Sequence, residues 1–327
     1  MKMLVVYNCC GAKKDNLSMW IEHIDSLIIQ KNCIFDLVIS GCIIDNKSQI
    51  DLLTYLSKTN FKGNIFLDFI QELHPVNVTF NHSIIKCSEN FDYRGYLFLS
   101  SDIKLLKDNH LQKMFDFHIN ENVGISNFIV DNENWIPTHI SQEFWNELQT
   151  NHTDFPFGQS INCDCMIFDS DIFKNYGKVI PDIFRSWCTE SVFPFLSASI
   201  NKSHKCHDSS IVVHHAIYRR EGSSVIAQSG CEKGCDDLYR SKRNVRERLL
   251  TQEAYESGFG YAESHFTTHK WTRESREKIY LIHNDDLYFS PYQPKDINRL
   301  VSFIKNNVFL SDEELNYNDI PHLFQKI

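Results

Sequence analysis

The stretch Gly95-Tyr-Leu-Phe-Leu-Ser-Ser-Asp102-Ile103 decides how the rest of this chain is read. An apolar run of strand length stops abruptly in small polar residues and one carboxylate. A carboxylate at a strand end can hold a divalent cation, and the cation can hold phosphate oxygens. Strands also end in Asp for turn reasons alone, so the segment needs its surroundings.

Those surroundings alternate. Met3–Tyr7 is a short Val-rich run closed by Asn8-Cys-Cys-Gly11, which predicts a buried strand. Residues 17–30 place Trp20, Ile21, Ile24, Leu27 and Ile28 at helical spacing. Strands are expected at 35–40 and 64–69, helices at 50–56 and 81–89, and a fourth strand at 95–99. Strand and helix in turn predict an α/β domain with a mainly parallel sheet. Ligands of such sheets bind beyond the carboxyl ends of the strands. Here those ends carry Asn8, Ser40 to Asp45 and Ser100 to Asp102.

Farther on the pattern loosens. A strand at 162–168, a short helix at 171–176 capped by Gly177, a helix at 189–200 and a strand at 211–215 are expected. Composition changes near Tyr218, where Arg219-Arg220-Glu-Gly-Ser-Ser begins. Residues 236–257 and 297–308 read as helices. The division expected is a catalytic domain over 1–218, with a donor-binding half to about 105 and an acceptor-binding half to 218, then a mainly helical extension over 219–327.

Composition narrows the function classes. The chain has 327 residues, 42% of them hydrophobic, enough for a real core. Lys+Arg 33 against Asp+Glu 42 gives a net charge of −9, which disfavours a general nucleic-acid binder. An anionic ligand must therefore be held locally, by a metal, a helix N-terminus or an Arg cluster. The apolar run at 3–7 is too short for a signal-peptide core, and no stretch approaches a membrane span. A cytoplasmic location is expected, with the 11 Cys packed as thiols. The sequon-like Asn77-Val-Thr79 then carries no glycosylation meaning.

The order of elements resembles the family 2 glycosyltransferases and their GT-A-fold relatives, from about Met3 to His215. Leu4-Val-Val-Tyr-Asn8 is similar to their first strand, and Ser26-Leu-Ile-Ile-Gln30 to their "SLxxQ" helix. Residues 36–48, with Ser40 and Asp45, resemble the "DDGSTD" turn in degraded form. Asn81-His-Ser-Ile-Ile resembles the helix before the metal strand. Leu97-Phe-Leu-Ser-Ser-Asp102 falls where the family has Asp-x-Asp. The resemblance implies an inverting glycosyltransferase using a nucleoside-diphosphate sugar and a manganese or magnesium ion. Asp102 takes the metal-binding role, and Ser100 replaces the first acid of the motif. Asn8, Ser40, Asp45, Asn81 and Ser100 are implied on the donor side. The implied acceptor is a glycan or a lipid-linked saccharide.

Three further groups complete the expected site. Arg185-Ser-Trp187-Cys-Thr-Glu190 resembles the family's "W-x-E-D" segment, which makes Glu190 the implied base; a helix N-terminal acid is the other reading. Asp164, in Asn162-Cys-Asp-Cys, is the second candidate base or an acceptor-binding acid. His214 or His215 fits the family's metal-site histidine by position, and strand alternation lets only one of them reach the ion. A rival zinc site from His204, Cys206 and His207 matches no standard spacing, with Cys231-x3-Cys235 as a weak partner. Arg219 and Arg220, just after the His pair, are candidates for the diphosphate. The basic run Arg240 to Arg248 is expected to be a solvated helix face, with contact to anionic headgroups as its second use. A sugar nucleotidyltransferase, which needs a Gly-rich first loop, and a catalytically degenerate carbohydrate-binding protein are the alternatives. Oligomeric state stays open.

Overall fold

A computed structural model describes residues 2–10, 17–72, 74, 76–101, 103–131, 165–182, 193–206, 212–215, 297–309 and 315–327. Strand β1 (Lys2–Cys10), helix α1 (Leu17–Ile28), β2 (Phe35–Cys42), α2 (Asn46–Leu56), β3 (Ile65–Ile70), α3 (Val76–Ser88) and β4 (Tyr93–Ser100) alternate as the sequence predicts. They are followed by β5 (Ile103–Lys104), α4 (His110–Asn120), β6 (Val123–Asn127) and β7 (Ile129–Asp131). Then come β8 (Cys165–Asp169), α5 (Ser170–Tyr176), α6 (Phe193–Ser199), β9 (Ser203–Cys206) and β10 (Val212–His215). The C-terminal part holds α7 (Ile297–Ile304), a π-helical turn (Lys305–Phe309) and β11 (His322–Lys326).

Eight strands form the main sheet in the order β11-β3-β2-β1-β4-β8-β6-β9. Neighbours β3, β2, β1 and β4 run parallel, and β6 and β9 share their direction; β8 and β11 run opposite. A small sheet, β5-β10-β7, stands beside it. The central strands are buried on both faces, which is why they read as continuous apolar runs. The two-residue period of β1 sends Met3, Val5, Tyr7 and Cys9 to one face and Leu4 and Val6 to the other. The first set packs on Trp20, Ile24 and Leu27 of α1, Leu52 and Leu56 of α2, and Leu111, Met114 and Phe115 of α4. The second packs on Phe80 and Ile84 of α3, Ile172 of α5, Leu196 of α6, and Leu300 and Ile304 of α7.

Gly177 closes α5 in the left-handed region at φ 73°, as expected of a C-cap glycine. Other elements depart from the expectation. Helix α3 starts at Val76 rather than Asn81, and α6, described over Phe193–Ser199, ends one residue before the expected 200. Helix α4 was hidden because two of its five buried positions are His110 and His118, which interrupt an apolar stripe of Leu111, Met114 and Phe115. The C-terminal end is not only helical. Strand β11 pairs antiparallel with β3, and Phe324 stacks on Phe66 with ring centroids 5.6 Å apart. Its half-exposed edge pattern carries no apolar period, so it left no signal. The segments after 297 thus share the core and sheet of the first part. Residues 219–296, where most of the expected extension lies, are outside the described residues.

Candidate active site at the carboxyl ends of the strands

Helices α1 and α2 carry the chain outward from β1 to β2 to β3 on one face. Helix α3 crosses to the other face, and β4 lands on the far side of β1. The strand order therefore reverses between β1 and β4, and a ligand crevice forms at such a switch point. Register brings four polar residues level there: Asp68 pairs with Ser40, Ser40 with Asn8, and Asn8 with Ser100. Asn8 and Ser100 are half-buried, while Ser40 and Asp68 are fully buried.

The first turns of α3 lie against this row. The Thr79 hydroxyl is 3.0 Å from Asn8 Oδ1 and 2.8 Å from the Val76 carbonyl. Ser40 Oγ sits 3.5 Å from the Thr79 carbonyl. Asp68 Oδ2 accepts from Ser83 Oγ at 2.6 Å and from His82 Nδ1 at 2.9 Å. Among the described residues several buried atoms beside these have no partner: both amide atoms of Asn77, Asp68 Oδ1 and His82 Nε2. Buried polar groups are nearly always paired, and other exceptions occur at His110, His118 and Ser197. Asn77 is only 2% exposed, which closes it to glycosylation. Asn77 and Thr79 were legible only as a sequon-like stretch, because the helix was expected to start at Asn81.

At the end of β2 the chain is strained. Ile43, a β-branched residue, sits in the left-handed region at φ 47° with its side chain 40% exposed. Its amide donates to the Ile70 carbonyl at 2.9 Å, which holds it there.

The small sheet supplies a second juxtaposition. Strand β5 begins at Ile103, the residue after Asp102, and pairs with β10 so that His215 is opposite Ile103 and His214 opposite Lys104. On its other edge β10 places His214 opposite Asp131. Residues over a hundred positions apart thus reach one short ladder.

Two expected donor residues have other work. Asp45 is the exposed N-cap of α2, accepting from Ser48 N at 3.0 Å and Ser48 Oγ at 2.7 Å. Those Ser48 hydrogen bonds, the hydroxyl's first, hold its carboxyl below the ordinary range. Asn81 is fully buried. Its Nδ2 donates to the Ile180 carbonyl at 2.7 Å and lies 3.1 Å from the Tyr317 hydroxyl, and its Oδ1 accepts from Val179 N and Ile180 N. It clamps α3 to the loop after α5 and to the C-terminal segment. Asp102, Asp164, Glu190, Arg219, Arg220 and His207 lie outside the described residues. Among the described residues no group of three or more His, Cys, Asp or Glu side chains is placed to hold a metal ion. Asp102 is not among those residues, and the side chains of His214 and His215 are not described.

No protein-family model matches the chain, and no curated protein does. Solved structures do. The mannosyltransferase PcManGT from Pyrobaculum calidifontis, in complex with GDP-Man and Mn2+, aligns with a TM-score of 0.52 at 11% identity, over 92% of this chain and 74% of that one. S. aureus TarS aligns at 0.47 and 12% identity, over 94% of this chain and 55% of that one. TarS 1-349 in complex with UDP-GlcNAc aligns at 0.47 and 11% identity, over 99% of both. The mainly parallel sheet with its switch at β1 and β4, together with the likeness to PcManGT, gives this chain an α/β fold of the GT-A type.

Proposed function

We propose that the chain is a metal-dependent, inverting glycosyltransferase. It moves a sugar from a nucleoside diphosphate to a hydroxyl of a glycan or lipid-linked saccharide. The observation that carries this reading is the pairing of β5 with β10, which brings the His214-His215 pair beside the chain position that follows Asp102. The polar row Ser40, Asn8, Ser100 at the switch point supports a donor site next to it. The GDP-Man and Mn2+ of PcManGT are in keeping with such a donor and ion.

A carboxylate and an imidazole form a donor set that suits manganese, and a carboxylate alone suits magnesium. Asp102 and one of His214 and His215 would hold the ion, which stabilises the charge that develops on the departing diphosphate. Arg219 and Arg220 add local positive charge that an acidic protein otherwise lacks. Glu190 takes the proton from the acceptor hydroxyl as its oxygen bonds to the anomeric carbon, while the bond from that carbon to the phosphate oxygen breaks on the opposite face. Asp164 is the second candidate for that base. The described residues contain no helix long and apolar enough to cross a membrane. We place the protein in the cytoplasm or at the inner face of the membrane, through the basic helix at 236–257. The division at residue 218 remains part of this proposal, with β11 and α7 returning to the catalytic domain.

The test is a thermal-shift series with UDP and GDP, with and without Mn2+. A ligand of the folded state raises the melting temperature by mass action. A shift that appears only with metal is the expected result. If neither nucleotide shifts the melt under either condition, the reading fails. With a donor identified, Glu190→Gln is expected to bind it normally and lose transfer, and Asp102→Ala to lose the metal-dependent part of donor binding. Full activity in Glu190→Gln removes that residue from the base role. Ser100, in place of the first motif acid, favours a second reading as a carbohydrate-binding protein without turnover. Donor binding with no hydrolysis or transfer would support it.

A further inference from the structure

The β4 ladder stops at Ser100 and β5 begins at Ile103, so two residues bridge the main sheet and the small one. The Ser101 carbonyl, in the peptide group that leads into Asp102, is held by side chains. Tyr7 Oη donates to it at 2.7 Å, and His23 Nδ1 lies 2.9 Å from the same oxygen. A carbonyl only accepts, so His23 Nδ1 carries the proton and the two donors converge on one acceptor. Their own separation is 3.2 Å, and the rings meet edge to face. Tyr7, on β1, is fully buried, and His23, on α1, is 2% exposed. Both are more than seventy residues from Ser101 in sequence.

His23 begins a polar stripe along the buried side of α1. Ser26 Oγ accepts from Leu105 N at 3.2 Å. Gln30 Nε2 donates to the Lys107 carbonyl at 2.8 Å, and its Oε1 accepts from Leu111 N at 3.0 Å. Positions 23 and 26 share one helix face and Gln30 follows just past the helix end, and each catches main chain from the segment after β4. Ser26 and Gln30 act well past the strand end. Among the described residues, Tyr7 and His23 are the ones whose side chains grip the peptide group next to Asp102.

We propose that Tyr7 and His23 are positioning residues for the metal site: by fixing the Ser101 peptide plane they fix the backbone from which Asp102 departs. The inference rests on the reading of Asp102 as a metal ligand. A ligand set must be held to within about half an ångström to bind well, so a loosened peptide plane costs affinity even in a folded protein.

Mn2+ is the probe. Its free aqueous signal in electron paramagnetic resonance is followed as the full-length chain is added, with UDP and, separately, with GDP. Tyr7→Phe removes one hydroxyl and His23→Leu removes one donor; each is expected to weaken Mn2+ binding about tenfold, the usual reach of a lost oriented hydrogen bond. His23→Asn keeps a donor near the Nδ1 position and is expected to restore most of the affinity. Ser26→Ala is expected to lower the melting temperature while leaving Mn2+ affinity at the wild-type level. The positioning role is overturned if folded Tyr7→Phe and His23→Leu bind Mn2+ like the wild type. It is overturned equally if affinity falls in all variants in proportion to melting temperature, Ser26→Ala included. Should Tyr7→Phe not fold, the contrast of His23→Asn with His23→Leu decides the matter. A wild type that binds no Mn2+ with either nucleotide defeats the metal reading itself, and this role with it.

Discussion

The two ends of the main sheet are built differently. At the amino ends, the buried carboxylate of Asp36 on β2 is fully engaged. It accepts from Asn64 N at 2.8 Å, Asn64 Nδ2 at 3.0 Å, Tyr93 Oη at 3.0 Å and Lys2 Nζ at 3.1 Å. Burial works to raise its pKa, but the bonds from Asn64, Lys2 and Tyr93 outweigh burial and hold the carboxyl below the ordinary range. Nearby, Asp169 caps α5 and receives Lys202 Nζ at 2.6 Å. At the carboxyl ends, Asn77, Asp68 and His82 carry buried atoms without partners among the described residues, and Ile43 is held in a left-handed backbone. Orphaned polar atoms and backbone strain cost stability, and proteins retain them mainly where function needs them. Unpartnered buried atoms occur at His110, His118 and Ser197 as well, so the contrast lies in the two buried carboxylates: among the described residues Asp36 is engaged through both oxygens, whereas Asp68 is engaged through Oδ2 alone.

That contrast can be broken by experiment. The largest effect belongs to Asp36→Ala, which strands the Asn64 amide and the Tyr93 hydroxyl in the interior. It is expected to cost about 3 kcal/mol in denaturant unfolding, at one to three for each orphaned group. A loss below about 1 kcal/mol would mean that the amino ends are not the stabilising ones.

Next comes pH. His118 is buried with its Nδ1 2.7 Å from Ser126 Oγ. Burial first, then Lys202 and Arg94, push its pKa down to about 3. The folded state keeps the ring neutral, whereas the unfolded chain takes up a proton near its ordinary value of about 6.5. Stability is therefore whole above that pH and falls progressively as pH drops from there toward 3. Melting curves from pH 7 to 4 are expected to show a steeper decline in the wild type than in His118→Gln, which has no proton to gain. Equal slopes would remove His118 from the acid response.

At the other end, Asn77→Leu tests the orphaned amide. Replacing an unsatisfied buried polar group by an apolar one of similar size is expected to leave stability within about 1 kcal/mol, on either side of zero. The same variant is expected to weaken nucleotide binding. A loss of stability as large as that of Asp36→Ala would show that Asn77 belongs to the fold and not to a site. Ile43→Gly has the smallest expected effect. It relieves a left-handed cost of about 1–2 kcal/mol but adds about 0.5–1 kcal/mol of chain entropy to be lost on folding. A small rise in melting temperature is expected, and a clear fall would mean that the Ile43 side chain packs more tightly than its exposure implies.

The sequence made some of this legible. Strands β1 to β4 were readable because strands buried on both faces need unbroken apolar runs, and α1 because Trp20, Ile24 and Leu27 recur at helical spacing. Helix α4 was not, since His110 and His118 are buried in its stripe yet count as polar in any pattern. The site was half legible. Asn8, Ser40 and Ser100 stand at strand ends in the sequence, but their lateral alignment is a matter of register. Asn81 resembled a donor residue because its motif looked right; its side chain instead ties α3 to Ile180 and Tyr317, contacts 99 and 236 residues away.

What the sequence determined by itself is local: the two-residue period of the strands, the apolar stripe of α1, the Asp45 cap and the Gly177 stop. Each follows from chain geometry within a few residues. Only the tertiary structure decided that β4 crosses to the far side of β1, that β10 runs beside β5, that β11 closes the edge of β3, and that Tyr7 and His23 meet at the Ser101 carbonyl. These are contacts between distant segments, set by which faces must be buried and which hydrogen bonds must be completed once the whole chain is packed.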